Sequence, residues 1–79
     1  MMKLFSAAWC SNCQPIKAMV KELGYPVDVI DVDEQPEFVR ASGVRSIPSL
    51  LTGTGDIVTG TNNIKKVIEE AYGSATNSN

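Results

Sequence analysis

The sequence Trp9-Cys10-Ser11-Asn12-Cys13 contains both cysteines and the only tryptophan of this 79-residue chain. Two cysteines separated by two residues can close a small disulfide ring, and the amide groups of a helix start favour a thiolate there. So short a ring adds little chain-entropy stabilisation, which argues against a purely structural disulfide. A tetrahedral zinc site needs four ligands, but the chain has no histidine and no third cysteine. The pair therefore predicts a redox site.

Length and composition indicate one small globular domain. The chain is 43% apolar and 20% charged, with a net charge of -2, so no basic patch points to nucleic acid. The apolar run at the N-terminus is too short for a signal peptide or a membrane span. Because cytosolic thiols stay reduced unless a disulfide is transient, we expect a cytoplasmic protein with catalytic cysteines. We also expect a monomer that binds neither nucleic acid nor membrane.

The cysteine pair lies between a predicted strand and a predicted helix. Residues 2–7 are short and apolar, as in a buried strand. After Cys10 the apolar residues recur at helical spacing until Gly24, which ends the helix. Pro15 falls where an intrahelical amide is needed if Cys10 caps the helix, so we expect an irregular or kinked start. The predicted apolar face consists of Ile16, Met19, Val20 and Leu23.

The middle of the chain predicts a second strand and a short helix. The β-branched residues between 27 and 32 favour a strand, parallel to the first through a right-handed crossover. Pro36 suits the first position of a helix that ends at Gly43. Asp33 and Glu34 are expected to be a solvated helix start, favoured there by the helix dipole.

The last part of the chain predicts a hairpin and a helix. Residues 50–52 and 56–59 are strand candidates joined by a glycine-containing turn, so they should pair antiparallel. A final helix is expected after an Asn63 N-cap and should end at Gly73. We expect a single domain over residues 1–73 and a disordered polar tail over residues 74–79. The apolar face of this helix is expected to contain Ile64, Val67, Ile68 and Ala71.

This order of elements, with the cysteine stretch and the run Arg45-Ser46-Ile47-Pro48-Ser49, resembles the thioredoxin and glutaredoxin superfamily. The resemblance covers residues 1–73. It implies the α/β thioredoxin fold, with a four-stranded mixed sheet and three helices in the order β-α-β-α-β-β-α. It also implies a cis bond before Pro48, where the residues alone would predict trans. The length resembles that of a glutaredoxin or of a minimal thioredoxin-like reductase.

The resemblance also implies roles for particular residues. Cys10, at the exposed helix start, is expected to be the attacking thiolate, and Cys13, one turn deeper, to resolve the mixed disulfide. An extended substrate would pair with the Ile47 backbone as an added strand. Trp9 could instead be an ordinary packing aromatic. A flat, weakly polar substrate-binding patch is expected from Trp9, Ser11, Asn12, Ile47, Pro48 and Gly60.

Two features depart from the family pattern between and beneath the cysteines. Ser11 and Asn12 replace the Gly-Pro of thioredoxins and the Pro-Tyr of dithiol glutaredoxins, which predicts a shifted redox poise. Leu4 and Val29 lie where thioredoxins carry a buried aspartate and its lysine partner. We therefore expect water or the leaving Cys10 to accept the proton of the resolving thiol.

The expected function is the reduction of protein disulfides by a Cys10/Cys13 dithiol, without a resident metal or organic cofactor. A flavin-dependent, thioredoxin-reductase-like partner is the favoured electron source and glutathione the alternative. The turn over residues 59–63 lacks the second glycine and the aspartate of a glutathione-binding turn. Two other hypotheses are a non-catalytic adaptor that binds proteins through the same patch, and an iron-sulfur carrier bridged by Cys10 and glutathione.

Overall fold

The computed structural model describes residues 2–76, with side chains through residue 73. Four strands and three α-helices follow one another in the order β-α-β-α-β-β-α, which confirms the predicted fold class. No helix in the described range is both long and apolar enough to cross a membrane. The elements are β1 Met2–Ser6, α1 Gln14–Leu23, β2 Val27–Asp31, α2 Pro36–Ser42, β3 Ser49–Leu51, β4 Ile57–Thr59 and α3 Thr61–Thr76.

The four strands form one mixed sheet in the order β2-β1-β3-β4. β1 pairs parallel with β2 and antiparallel with β3, so Leu4 lies between Val29 and Leu50. β3 and β4 pair antiparallel as the predicted hairpin. In its turn the Thr52 amide donates to the Asp56 carbonyl over 2.9 Å, and Gly55 has φ +92°. The two central strands are thus β1 and β3. β1 leads into the cysteine segment, and β3 directly follows the proline segment.

The sheet is covered on both faces because neighbouring residues of β1 point to opposite sides. Leu4 packs with α1 and α3 on one face, whereas Phe5 packs with Ile30, Val44 and Val39 of α2 on the other. Both predicted amphipathic helices use their expected apolar faces. The fully buried members of the first face are Leu4, Ile16, Leu50, Ile64 and Ile68.

The first helix begins irregularly, as predicted. A 3₁₀ turn over Ser11–Cys13 precedes α1, and Pro15 lies in the first turn of α1. A proline is tolerated there because first-turn amides have no intrahelical acceptor. α1 ends at Gly24, whose φ of +67° is the left-handed conformation that favours glycine.

The boundaries of the last helix were predicted wrongly at both ends. α3 begins at Thr61, because the Gly60 carbonyl accepts the Ile64 amide over 3.0 Å. Asn63 therefore lies inside the helix, and its side-chain amide donates to the Thr59 carbonyl over 3.1 Å. The helix also continues through Gly73 to Thr76, since Gly73 does not adopt a positive φ. The predicted disordered tail over residues 74–79 stays a prediction, and residues 77–79 lie outside the described residues.

Candidate functional site

The two cysteines form a disulfide at the junction between β1 and α1, with their Cα atoms 5.3 Å apart. The Cys10 amide donates to the Ala7 carbonyl over 3.1 Å, which turns the chain sharply after the strand. The Cys13 amide then donates to the Cys10 carbonyl over 3.2 Å and starts the 3₁₀ turn. Local backbone bonds therefore hold the ring at the helix start that the sequence predicts.

Both sulfur-bearing residues are buried in this disulfide form. Cys13 is 0% exposed and Cys10 is 7% exposed. The expectation of an exposed Cys10 is therefore wrong for the oxidised protein, because Val32 and Ile47 pack against the disulfide. Cys10 nevertheless remains the more accessible of the two, which is the order expected for an attacking and a resolving thiol.

The segment before β3 lies against the disulfide. Ile47 contacts the cysteine cluster and also the apolar cluster under α2. The Ile47–Pro48 peptide bond is cis, as the resemblance implies, and Pro48 is buried. The buried Ser49 hydroxyl donates to the Ser46 carbonyl and so ties this turn to the start of β3. The structure therefore brings the two predicted motifs, more than 30 residues apart in sequence, into one site.

An open groove of about 210 Å³ lies beside the disulfide. Trp9 and Ile47, two of the predicted binding residues, both line it. The remaining lining residues come from the α2 side of the molecule, which sequence reasoning did not assign to the site. They are Val32, Val39, Val44, Arg45 and Ser46.

The Trp9 side chain is 69% exposed. It is held by Asp33, which the sequence predicts to be part of a solvated helix start. The indole Nε1 of Trp9 donates to Oδ2 of Asp33 over 2.7 Å. Asp33 is itself positioned by a turn, in which its amide donates to Oδ1 of Asp31 over 2.8 Å. The parallel pairing of β1 and β2 is the feature from which this contact can be expected. Trp9 and Asp33 follow the carboxyl ends of these neighbouring strands, which lie at the same sheet edge.

The remaining predicted binding residues lie around the start of α3 and the cysteine turn. The Thr61 hydroxyl donates to the Asn12 carbonyl over 3.4 Å, which places the adjacent Gly60 beside the cysteine turn. Gly60 has φ +89°, a conformation that allows the chain to turn from β4 into α3. Ser11 and Asn12 are exposed on the outer side of the turn.

Apolar residues pack beneath the cysteines. Leu4 is fully buried in the main core, and Val29 lies 43% exposed on the edge strand β2. The apolar residues that pack with Cys10 and Cys13 are Ala7, Val32 and Ile47. No group of three or more histidine, cysteine, aspartate or glutamate side chains within the described range could hold a metal ion.

Comparisons with known proteins agree with this geometry. Residues 4–76 match the family described as glutathione S-transferase, N-terminal domain. A mutant thioredoxin from Halobacterium salinarum is 30% identical, with a TM-score of 0.75, over 92% of this chain and 71% of that one. A glutaredoxin–glutathione complex from buckwheat has a TM-score of 0.62 at 20% identity, over 90% and 70% of the two chains. Thioredoxin 1 of Thermosipho africanus has a TM-score of 0.58 at 20% identity, over 89% and 96%.

Proposed function

Because this chain belongs to the thioredoxin-like family, we propose that it is a thiol-disulfide oxidoreductase that reduces protein disulfides. One observation carries the proposal. The disulfide between Cys10 and Cys13 lies at a helix start, against Ile47 and beside an open groove. A purely structural disulfide needs neither the groove nor an exposed tryptophan at its edge.

The proposed reaction begins with the reduced protein, in which both cysteines are thiols. The Cys10 thiolate attacks one sulfur of the substrate disulfide, forms a mixed disulfide and expels the other substrate sulfur as a thiolate. The Cys13 thiolate then attacks the Cys10 sulfur and releases the second substrate sulfur. The substrate gains two electrons and two protons, and the protein is left with the Cys10–Cys13 disulfide. An external dithiol or thiol must reduce that disulfide before the next cycle.

Substrate recognition would use the residues that surround the disulfide. The backbone of Ile47 beside Pro48 suits an extended segment of the partner, which would pair with it as an added strand. Trp9 would cover one side of this segment, because its ring is exposed and held by Asp33. Gly60 and the outer residues of the cysteine turn, Ser11 and Asn12, would contact the partner on the opposite side.

Proton transfer would differ from that of a protein with a buried carboxylate. Leu4 is fully buried in the core, and Ala7, Val32 and Ile47 pack with the two cysteines. We therefore assign the proton of the Cys13 thiol to water or to the thiolate that leaves from Cys10. A carboxylate that titrates together with the Cys13 thiol near neutral pH would contradict this assignment.

A flavin-dependent reductase is the proposed electron source, with glutathione as the second candidate. The buckwheat glutaredoxin was solved as a glutathione complex, and the two chains share the fold. The segment at residues 59–63, where β4 leads into α3, however, reads Thr-Gly-Thr-Asn-Asn, without a second glycine or an aspartate. This segment contains one glycine and no carboxylate that could bind the amino group of glutathione.

Insulin reduction tests both the activity and the electron source. The protein is assayed once with thioredoxin reductase and once with glutathione plus glutathione reductase, with NADPH in both, and Cys10→Ser serves as the inactive control. We expect turnover in the thioredoxin reductase system. Turnover only with glutathione would overturn the choice of reductant. If chemically reduced protein also failed to reduce insulin, the proposed function would be wrong.

A further inference from the structure

The groove beside the disulfide contains one charged side chain, Arg45, among otherwise apolar or small residues. Arg45 is exposed and has no hydrogen bond or ion pair within residues 2–73. Asp33, a carboxylate that contacts the groove lining, is already bound by the Trp9 indole. An unpaired guanidinium at an apolar groove is a ready partner for a carboxylate, because a docked segment excludes water and strengthens the charge pair.

We propose that Arg45 makes this groove selective for disulfide-bearing segments that carry an acidic residue close to the reactive cysteine. The inference rests on the proposed function and adds to it a class of preferred substrate. The occupant is an extended protein segment with an apolar side chain over Val39 and Val44 and an aspartate or glutamate facing Arg45. The apolar side chain is expected because the groove walls are apolar. The acidic residue is expected because Arg45 is the charged side chain that lines the groove.

The position of the acidic residue follows from the chain geometry around Ile47. Ile47 packs against Cys10, so a substrate cysteine that reacts there lies close to it. Arg45 precedes Ile47 by two residues, and the chain bends at residues 46–48. We therefore place the substrate carboxylate within a few residues of the reactive cysteine.

The net charge of the protein allows the proposed preference to be distinguished from an overall charge effect. With a net charge of -2, the whole molecule should weakly favour basic peptides over acidic ones. The groove, by contrast, is proposed to favour an acidic residue close to the reactive cysteine of the peptide. Two peptides with the same composition, in which one glutamate and one lysine exchange near and far positions, separate the local effect from the overall charge.

The test measures single-turnover rate constants for chemically reduced protein and such a pair of disulfide-linked peptides. No reductase is needed, so the identity of the electron source does not affect the result. At about 10 mM ionic strength, where the Debye length is about 30 Å, screening is weak. We expect the peptide with the near glutamate to react about three to five times faster, the scale of a partly exposed charge pair.

Three variants assign this preference to one side chain. Arg45→Gln should bring the two rate constants together, and Arg45→Glu should reverse their order. Arg40→Glu is the matched control, because Arg40 is an exposed arginine of α2 that does not line the groove. It should keep the preference of the parent protein. In about 1 M salt, where the Debye length falls to about 3 Å, the preference should shrink.

Several outcomes would overturn the inference while leaving the proposed function intact. Equal rate constants for the two peptides would do so, as would an effect of Arg40→Glu equal to that of Arg45→Glu. If substitution of Arg45 changed the rate constants only for glutathione mixed disulfides, the preferred anion would be a carboxylate of glutathione and not a protein side chain. By contrast, failure to reduce either peptide or insulin would contradict the proposed function itself.

Discussion

At the scale of single residues, the environment of each cysteine sets its role. Cys13 is fully buried, whereas Cys10 retains a small exposed fraction. An incoming disulfide must approach the attacking sulfur in line, so exposure favours Cys10. Sequence reasoning predicted this order from the helix start. It overestimated the exposure of Cys10 because Val32 and Ile47, which cover the disulfide, are distant in sequence.

Trapping of the mixed disulfide tests these roles. Cys13→Ser should accumulate a covalent adduct between Cys10 and a disulfide peptide, because no thiol remains to resolve it. Cys10→Ser is the matched variant and should form its adduct much more slowly, since the Cys13 sulfur is buried. Intact-mass spectrometry of both variants over time measures the adducts. Faster labelling of Cys13 than of Cys10 would reverse the assignment.

The hydrogen bond between Trp9 and Asp33 predicts that Asp33 positions the indole at the groove. Asp33→Ala should let the exposed ring rotate, which lowers the fluorescence anisotropy of this single tryptophan. Asp33→Asn should retain most of the anisotropy because its amide oxygen still accepts from Nε1. Glu34→Ala serves as the control, since Glu34 is the neighbouring exposed carboxylate. An anisotropy unchanged in Asp33→Ala would show that the bond does not hold the ring.

At the scale of elements, glycines distinguish helix ends from helix interiors only through their backbone conformation. Gly24 and Gly43 end α1 and α2 with positive φ, whereas Gly73 lies within α3. All three follow an amphipathic pattern in the sequence, so composition alone cannot separate them. The error at Gly73 arose because a glycine near the end of a pattern is compatible with both states.

A pair of alanine substitutions tests this difference. Gly73→Ala should leave stability unchanged or raise it by up to about 1 kcal/mol, because alanine favours the helix. Gly24→Ala should lower stability by about 1–2 kcal/mol, because a Cβ is unfavourable at the left-handed conformation. Apart from the adjoining chain, neither added methyl would meet an atom within 4 Å, so tertiary packing does not confound the comparison. Urea unfolding measures both, and equal losses would place the end of α3 at Gly73.

At the scale of the whole molecule, a small domain relies on a few fully buried side chains. A chain of this length buries only about 60% of the surface exposed when unfolded, so we expect a modest free energy of unfolding. Leu4, Leu50 and the apolar faces of α1 and α3 form the larger core. β3 links this core to the site, because it begins directly after Pro48.

Two substitutions in the hairpin compare core with surface. Leu50→Ala should cost about 2–5 kcal/mol, because it removes a fully buried side chain and leaves a cavity. Ile57→Ala, on the paired strand, should cost much less, since Ile57 is 43% exposed. Thermal and urea unfolding of the oxidised proteins provide the measurement. Similar losses in the two variants would contradict the assignment of the core.

The sequence by itself determined the order of the elements, the apolar faces of α1 and α3, and the disulfide between Cys10 and Cys13. These follow from local spacing, in which helical and strand periodicities and short loops leave few arrangements. Only the tertiary structure decided that Val39, Val44 and Arg45 form a groove beside the disulfide, and that Asp33 holds Trp9. Those contacts depend on which residues the parallel and antiparallel strand pairings bring together across the sheet. Such juxtapositions involve residues distant in sequence, so local patterns contain little information about them.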